Sequence, residues 1–167
     1  KYTVDIIKTE NFLELPPSRY KTYPRAITIG NFDGCHLGHT KLLKQTLYLA
    51  KKLHLRSSIL TFHPHPSSIL KRSEKKQLFT LTQKLNFFKQ LGFNDVIVQR
   101  FSHTFSLVTH QDLYSLGLLK KLQTKAIIIG TDFCFGHLRQ GTSSWLAEKS
   151  RQDHIQTHIM PKEQLNE

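Results

Sequence analysis

Cysteine is nearly absent from this chain: Cys35 and Cys134 are two thiols in 167 residues, too few for a disulfide framework. Isolated thiols of this kind make a reducing cytoplasm the default setting. Acidic residues are also scarce, 12 Asp+Glu against 24 Lys+Arg, which leaves a formal charge of +12. Such a surplus attracts polyanions: nucleic acid, acidic membrane or phosphorylated small molecules. The basic residues fall singly or in pairs, and no aromatic-interleaved basic motif of the RNA-recognition type is present. The charge therefore reads first as solvated surface, with phosphate-rich substrates accounting for part of it. No apolar run approaches bilayer-spanning length, and the opening residues carry no signal-peptide pattern. No internal repeat and no linker interrupts the chain. A composition with 38% hydrophobic and 22% charged residues excludes a disordered segment. The length fits one domain, 1–167, with a full core. The first residue is Lys1 rather than Met, so the numbering is expected to begin inside a natural chain or after processing.

Short apolar runs alternate with helical patterns. Ala26–Ile29 reads as a buried strand before Gly30. Leu42, Leu43, Leu47, Ala50 and Leu53 fall at helical spacing and predict an amphipathic helix over roughly 38–53. Ser58–Phe62 predicts a strand, stopped by Pro64 and Pro66. Thr80 and Gln83 have capping-box spacing ahead of Leu81, Leu85, Phe88 and Leu91, and Gly92 closes that helix. Asp95–Val98 is the next strand. Thr109 and Asp112 repeat the capping pattern ahead of Leu113, Leu116 and Leu119. Lys125–Gly130 is a strand, Thr142 caps a short helix through Trp145 and Lys149, and Ile155–Ile159 is the last strand. Thr3–Ile7 adds an edge strand. This order predicts an α/β fold of right-handed crossovers with a mostly parallel sheet flanked by helices. Ligands of such sheets bind at the carboxyl ends of the strands. The loops that follow strands, Gly30–His39, His63–Pro66 and Gly130–Gly141, are thus expected on one edge.

The first loop reads Gly30-Asn31-Phe32-Asp33-Gly34-Cys35-His36-Leu37-Gly38-His39. Gly30, Gly34 and Gly38 allow backbone N–H groups to approach an anion closely. The loop enters a helix N-terminus, where dipole and free N–H groups favour phosphate. His36 and His39 are three apart and share a face there. Two imidazoles so placed can donate to phosphate oxygens as charge builds in a transition state. A pair of His at this spacing lacks the third ligand that zinc needs. In the second loop, Pro64 and Pro66 stiffen the chain after Phe62. Either this is a pocket wall for a flat ring, or it ends a strand with His63 and His65 in solvent. In the third loop Asp132 offers a polar contact to a nucleotide or flavin. Phe133 and Phe135 read from the residues alone as core. Arg139 either reaches a phosphate or is solvated.

The segment TIGNFDGCHLGH at 28–39 resembles the signature of bacterial FAD synthetases, in their FMN adenylyltransferase module. H-x-G-H alone would indicate only the wider nucleotidylyltransferase superfamily; the flanking I-G-N-F-D-G narrows it. LTFHPHP at 60–66 resembles that family's second segment, with His63 where an acidic residue is usual. GTDFCFG at 130–136 resembles its third, and Gly141 matches a following glycine. Leu81-Thr82, Lys84-Leu85, Phe101 and Phe105 also stand where the family has them. Cys35 replaces a common aliphatic residue, and Cys134 a common basic one. The resemblance covers roughly residues 20–160.

The resemblance implies a Rossmann-like nucleotidylyltransferase fold and the reaction ATP + FMN to FAD + pyrophosphate, with Mg²⁺ carried by the phosphates. It implies His36 and His39 as catalytic groups. Gly30, Asn31, Phe32, Asp33, Gly34, Gly38, Asp132 and Arg139 are implied as ATP-binding residues, and Phe62, Pro64, His65, Pro66 and Phe135 as flavin-binding ones. No direct protein ligand to a metal is expected, although Asp33 is placed to assist the metal or the loop. The family carries a Ser/Thr-rich segment ending in Arg after the last strand, which contacts ATP phosphates, and then a riboflavin kinase domain. Neither lies within these residues, so a fragment of reduced activity is expected. Two other readings remain open: a nucleotidylyltransferase for nicotinamide mononucleotide or a sugar phosphate, and a basic binding module for nucleotide or nucleic acid without catalysis. The two thiols lie in two of the site loops. They are either near one another or near the ATP pocket and reactive, or small buried fillers; by alternation Cys134 and Asp132 are expected to face the core side and Phe133 not.

Overall fold

A computed structural model describes residues 4–16, 23–32, 37–66 and 80–161, with the backbone alone for 37–39. Six strands form one sheet in which every neighbouring pair is parallel: β1 (Asp5–Thr9), β2 (Arg25–Ile29), β3 (Arg56–His63), β4 (Asp95–Arg100), β5 (Thr124–Gly130) and β8 (Gln156–Met160). Their spatial order is β1-β4-β3-β2-β5-β8. The edge strand expected at Thr3–Ile7 is β1, shifted two residues along. A two-stranded antiparallel ribbon, β6 (Cys134–Phe135) with β7 (Gly141–Thr142), stands apart from the sheet. Sequence reading missed it, because two-residue strands leave no periodicity.

The helices arise where the pattern places them. α1 (Leu37–Leu53) joins β2 to β3, and α2 (Leu81–Leu91) joins β3 to β4. The Thr80 hydroxyl accepts from the Gln83 N–H, the Gln83 side chain returns the bond, and Gly92 closes α2 at φ 94°. α3 (His103–Ser106) and α4 (His110–Asp112) lead into a π-helical stretch, Leu113–Lys121. α5 (Ser143–Gln152) starts with the Thr142 hydroxyl accepting from the Trp145 N–H and feeds β8. Among the described residues no helix is long and apolar enough to cross a membrane.

Side chains alternate across the sheet and build a core on each face. Ala26, Ile59, Val96, Val98, Ala126 and Ile128 face Leu42 and Leu43 of α1 and Phe88 of α2. Ile27, Ile29, Leu60, Ile97, Ile127 and Ile129 face Phe12, Leu113, Leu118 and Leu146.

The expected helical spacing of Leu113, Leu116 and Leu119 gives way to another set. Leu113, Tyr114, Gly117 and Leu118 are buried, whereas Leu116 is exposed. The wider π turn, with Leu122 N–H donating to the Gly117 carbonyl at 2.9 Å, rotates the buried face. Phe12 is the reason Gly117 is needed. A Cβ there would lie 2.5 Å from the Phe12 ring. Gly117→Ala is therefore expected to cost about 1–3 kcal/mol in urea unfolding, the range for overpacking a filled core. A loss within a few tenths would show that the ring moves aside freely.

The amino ends of four strands are tied by charge. Arg25, Arg56, Asp95 and Asp5 each open a strand. Asp95 Oδ2 accepts from Arg56 Nε at 2.6 Å and Arg25 Nη2 at 3.4 Å, and Arg56 Nη2 reaches Asp5 at 2.7 Å. Arg25 also donates to the Leu122 carbonyl at 3.2 Å. This network occupies the edge of the sheet opposite the strand carboxyl ends.

Candidate active site at the carboxyl ends of β2, β3 and β5

The three loops singled out in the sequence leave three adjacent parallel strands, with β2 in the middle. The chain runs outward from β2 to β3 and β4, then returns to lay β5 on the other flank of β2. That reversal is a topological switch point, where the loops diverge and open a crevice.

The start of the first loop is held firmly. Gly30 N–H donates to the Leu60 carbonyl at 3.1 Å. The Asn31 carbonyl accepts from Lys84 Nζ at 2.7 Å and from the Thr61 hydroxyl at 3.3 Å. Lys84 and Thr61 are both almost fully buried, at 1% and 0% exposure. Phe32 takes a left-handed φ of 53°, and its ring packs edge-on against Phe88 at 5.6 Å. Gly30 leaves room for that ring: a Cβ would sit 3.1 Å from its tip. The Asn31 side-chain Oδ1 is buried without a hydrogen-bond partner among the described residues. Asp33, Gly34, Cys35 and His36 lie outside the described residues. Gly38 and His39 fall in the first turn of α1, at the carboxyl end of β2, as the sequence predicts.

Phe62, beyond Thr61 on β3, faces the opposite side of the sheet. Its ring meets Phe101 and Phe105 at 6.2 Å each. With Phe133 and Phe135 it lines a small apolar cavity of about 10 Å³, closed by Phe12, Ile29, Leu60, Leu113 and Leu118. Phe62 and Phe135 are thus brought together. Pro64, His65 and Pro66 continue beyond β3, half-buried and outside that lining.

In the third loop the Thr131 hydroxyl donates to the Met160 carbonyl at 3.0 Å, and Ser143 Oγ donates to the Thr131 carbonyl at 2.7 Å. Asp132 between them is exposed. Phe133 and Phe135 stack at 5.4 Å, with Phe135 in the core. The alternation expected here holds with its phase reversed: the two phenylalanines turn to the core and Cys134, half-buried, lies between them. Their larger apolar area decides the phase. Cys35 lies outside the described residues. Arg139 is exposed on the tip of the β6–β7 ribbon, and no hydrogen bond joins it or Asp132 to Gly30–Phe32 among the described residues. The ribbon is pinned by His137 N–H donating to the Val108 carbonyl at 2.9 Å. Gly136 at φ 81° lies so close to His110 that a Cβ would meet its backbone at 2.5 Å.

Sequence reading missed Lys84 and Thr61 as site residues. The signal for Lys84 was present: it interrupts the apolar stripe of Leu81, Leu85 and Phe88 with a cation.

A parallel sheet with a glycine-rich strand-to-helix loop at its switch point defines a nucleotidyltransferase-type α/β module. Residues 19–167 match the FAD synthetase family, and the chain belongs to it. Bifunctional riboflavin kinase/FMN adenylyltransferases are its relatives. That of Buchnera aphidicola subsp. Schizaphis graminum is 36% identical over 124 residues, 74% of this chain and 40% of the relative. That of Bacillus subtilis is 36% identical over 70% of this chain and 37% of the relative. That of Escherichia coli K12 is 34% identical over 69% and 37%. The chain thus spans about two fifths of the length of these curated relatives. A solved structure described as a macrolide-efflux protein from Streptococcus pneumoniae superimposes with TM-score 0.77 over 95% of this chain and 52% of that one. At 21% identity this likeness shows the fold alone.

Proposed function

We propose that this chain transfers the adenylyl group of ATP to the phosphate of FMN, giving FAD and pyrophosphate. The observation that carries the reading is the division of the site by the sheet. On the α1 and α2 side of β2 lie Asn31, held by Lys84 and Thr61, and Phe32, packed on Phe88, with α1 beginning at Leu37. On the other side lies an aromatic cavity formed by Phe62, Phe133 and Phe135. The first suits a triphosphate, and the aromatic side chains of the second offer contacts to a flat ring.

The FMN phosphate is an anion at neutral pH and needs no base. It attacks the α-phosphorus in line, and the bond to the β-phosphate oxygen breaks as pyrophosphate leaves with its electron pair. His36 and His39 donate to phosphate oxygens as that charge develops. Gly30, Asn31, Phe32, Asp33, Gly34 and Gly38 form the cradle. Asn31 is suited to it: with its amide rotated, the buried position now held by Oδ1 presents an NH₂ to a phosphate oxygen. Arg139, exposed, is available to phosphates at the mouth, and Asp132, also exposed, to hydroxyl or N–H groups of the nucleotide or flavin. Mg²⁺ carried on ATP would neutralise phosphate charge there.

Phe62, with Pro64, His65, Pro66 and Phe135, forms the flavin side. A cavity of about 10 Å³ is far smaller than a flavin ring, so Phe62 and Phe133 must turn aside to admit it. Phe62→Ala is expected to raise the KM for FMN about tenfold with that for ATP nearly unchanged, the loss of one aromatic contact. Equal effects on both would remove Phe62 from the flavin side. The whole natural protein is proposed to carry a riboflavin kinase domain beyond this module, and to work in the cytoplasm. The reading is tested by offering the purified chain MgATP with FMN, nicotinamide mononucleotide or a sugar phosphate. Product with FMN alone supports it; product with another acceptor, and none with FMN, overturns it.

A further inference from the structure

We propose that Lys84 is a positioning residue for phosphate binding, holding the Asn31 carbonyl so that the next N–H is aimed into the nucleotide crevice. The proposal rests on reading Gly30–His39 as the phosphate loop.

A lysine is poorly placed at this point unless something holds it there. Its side chain is 1% exposed, and burying an ammonium is costly without strong hydrogen bonds. It also ends the first turn of α2, where the helix dipole disfavours a cation. Among the contacts that hold it is the 2.7 Å bond from Nζ to the Asn31 carbonyl, which the Thr61 hydroxyl also meets at 3.3 Å. A trans peptide sets its C=O and N–H in opposite directions. With the Asn31 carbonyl drawn towards α2 and β3, the Phe32 N–H points away from them. That is the flank on which β5 and the Gly130 loop lie.

The same helix fixes the other side of this peptide. Phe88, one turn after Lys84 on the same face, packs edge-on against the Phe32 ring. Phe32 is held at φ 53°, a conformation that costs a non-glycine residue energy and persists only where surroundings enforce it. α2 thus grips both the carbonyl before Phe32 and the ring of Phe32 itself. The capping box at Thr80 and Gln83 fixes where α2 begins, and so where Lys84 and Phe88 stand.

The test compares this chain with its Lys84→Met and Lys84→Arg variants by thermal melting and by calorimetric titration with MgATP and with adenosine. Lys84→Met takes the charged donor from the buried Asn31 carbonyl, so melting is expected to fall while the variant stays folded. MgATP binding is expected to weaken about tenfold or more, with adenosine binding unchanged within about twofold. Lys84→Arg, which keeps a charged donor, is expected to stay within about fivefold of the parent for MgATP. If Lys84→Met binds MgATP as the parent does, the positioning role is overturned and the phosphate-loop reading stands. If the variant loses melting stability and both ligands in parallel, Lys84 only anchors the fold and the proposal fails. If the parent binds MgATP no better than adenosine, the phosphate-loop reading fails and the proposal with it.

Discussion

His39→Ala is expected to slow adenylyl transfer by a factor on the order of a hundred or more while leaving the melting transition almost unmoved. Removing one preorganised donor to a developing negative charge typically raises a barrier by ~3 kcal/mol. His39 stands in the first turn of α1, directly after β2, where the helix N-terminus and the glycine-rich loop converge. The loss should fall on kcat rather than on the KM for ATP, because the bond strengthens as charge passes to pyrophosphate. His36→Ala is expected to behave in the same way. The two effects should combine less than additively, since both histidines serve one charge. Steady-state kinetics beside a melting curve checks this. Wild-type turnover in both variants would remove the histidines from the chemistry.

The second large effect lies at the other end of the sheet and on stability alone. Asp95→Asn should cost ~3–5 kcal/mol, because it removes the negative charge that Arg25, a buried guanidinium, shares with Arg56. Arg25 and the Asp95 side chain are 1% and 2% exposed, so water offers little compensation. Arg56, the other donor to Asp95, is partly exposed and can turn to Asp5, at 2.7 Å, or to solvent. The four residues open β2, β4, β3 and β1, so loosening them loosens four strands together. The site is formed at the carboxyl ends, one strand length away. Nucleotide affinity of the variant that remains folded should therefore match the parent. Urea unfolding measures the first expectation and titration of the folded variant with MgATP the second. A loss below about 1 kcal/mol would mean that the guanidinium is held well enough by its other contacts, among them the Leu122 carbonyl.

Most elements were legible because their signals are local. The apolar runs of β2 and β5, the Thr80–Gln83 box and the left-handed Gly92 each decide structure within a few residues. The order of strands and helices led to a parallel sheet, and hence to three loops on one edge. What stayed hidden depends on distant partners. Lys84 meets Asn31 across 53 positions, and Asp95 meets Arg25 across 70. The place of Gly117 is another such case: in Leu113–Lys121 it reads as an ordinary helical glycine until Phe12 is placed against it. In the third loop, alternation was evident in the sequence, but its phase was settled by the cavity that Phe133 and Phe135 share with Phe62. Asp33 and His36 were named from sequence and lie outside the described residues.

Adenylyl transfer to FMN is tested by supplying ATP labelled at the α-phosphorus, Mg²⁺ and FMN to the chain, and to a longer chain carrying the Ser/Thr-rich segment. Products are then separated by chromatography. The expected result is label in FAD, one pyrophosphate formed per FAD, and a faster reaction in the longer chain. Label that stays in ATP with both chains folded, or that passes to AMP without appearing in FAD, would contradict it.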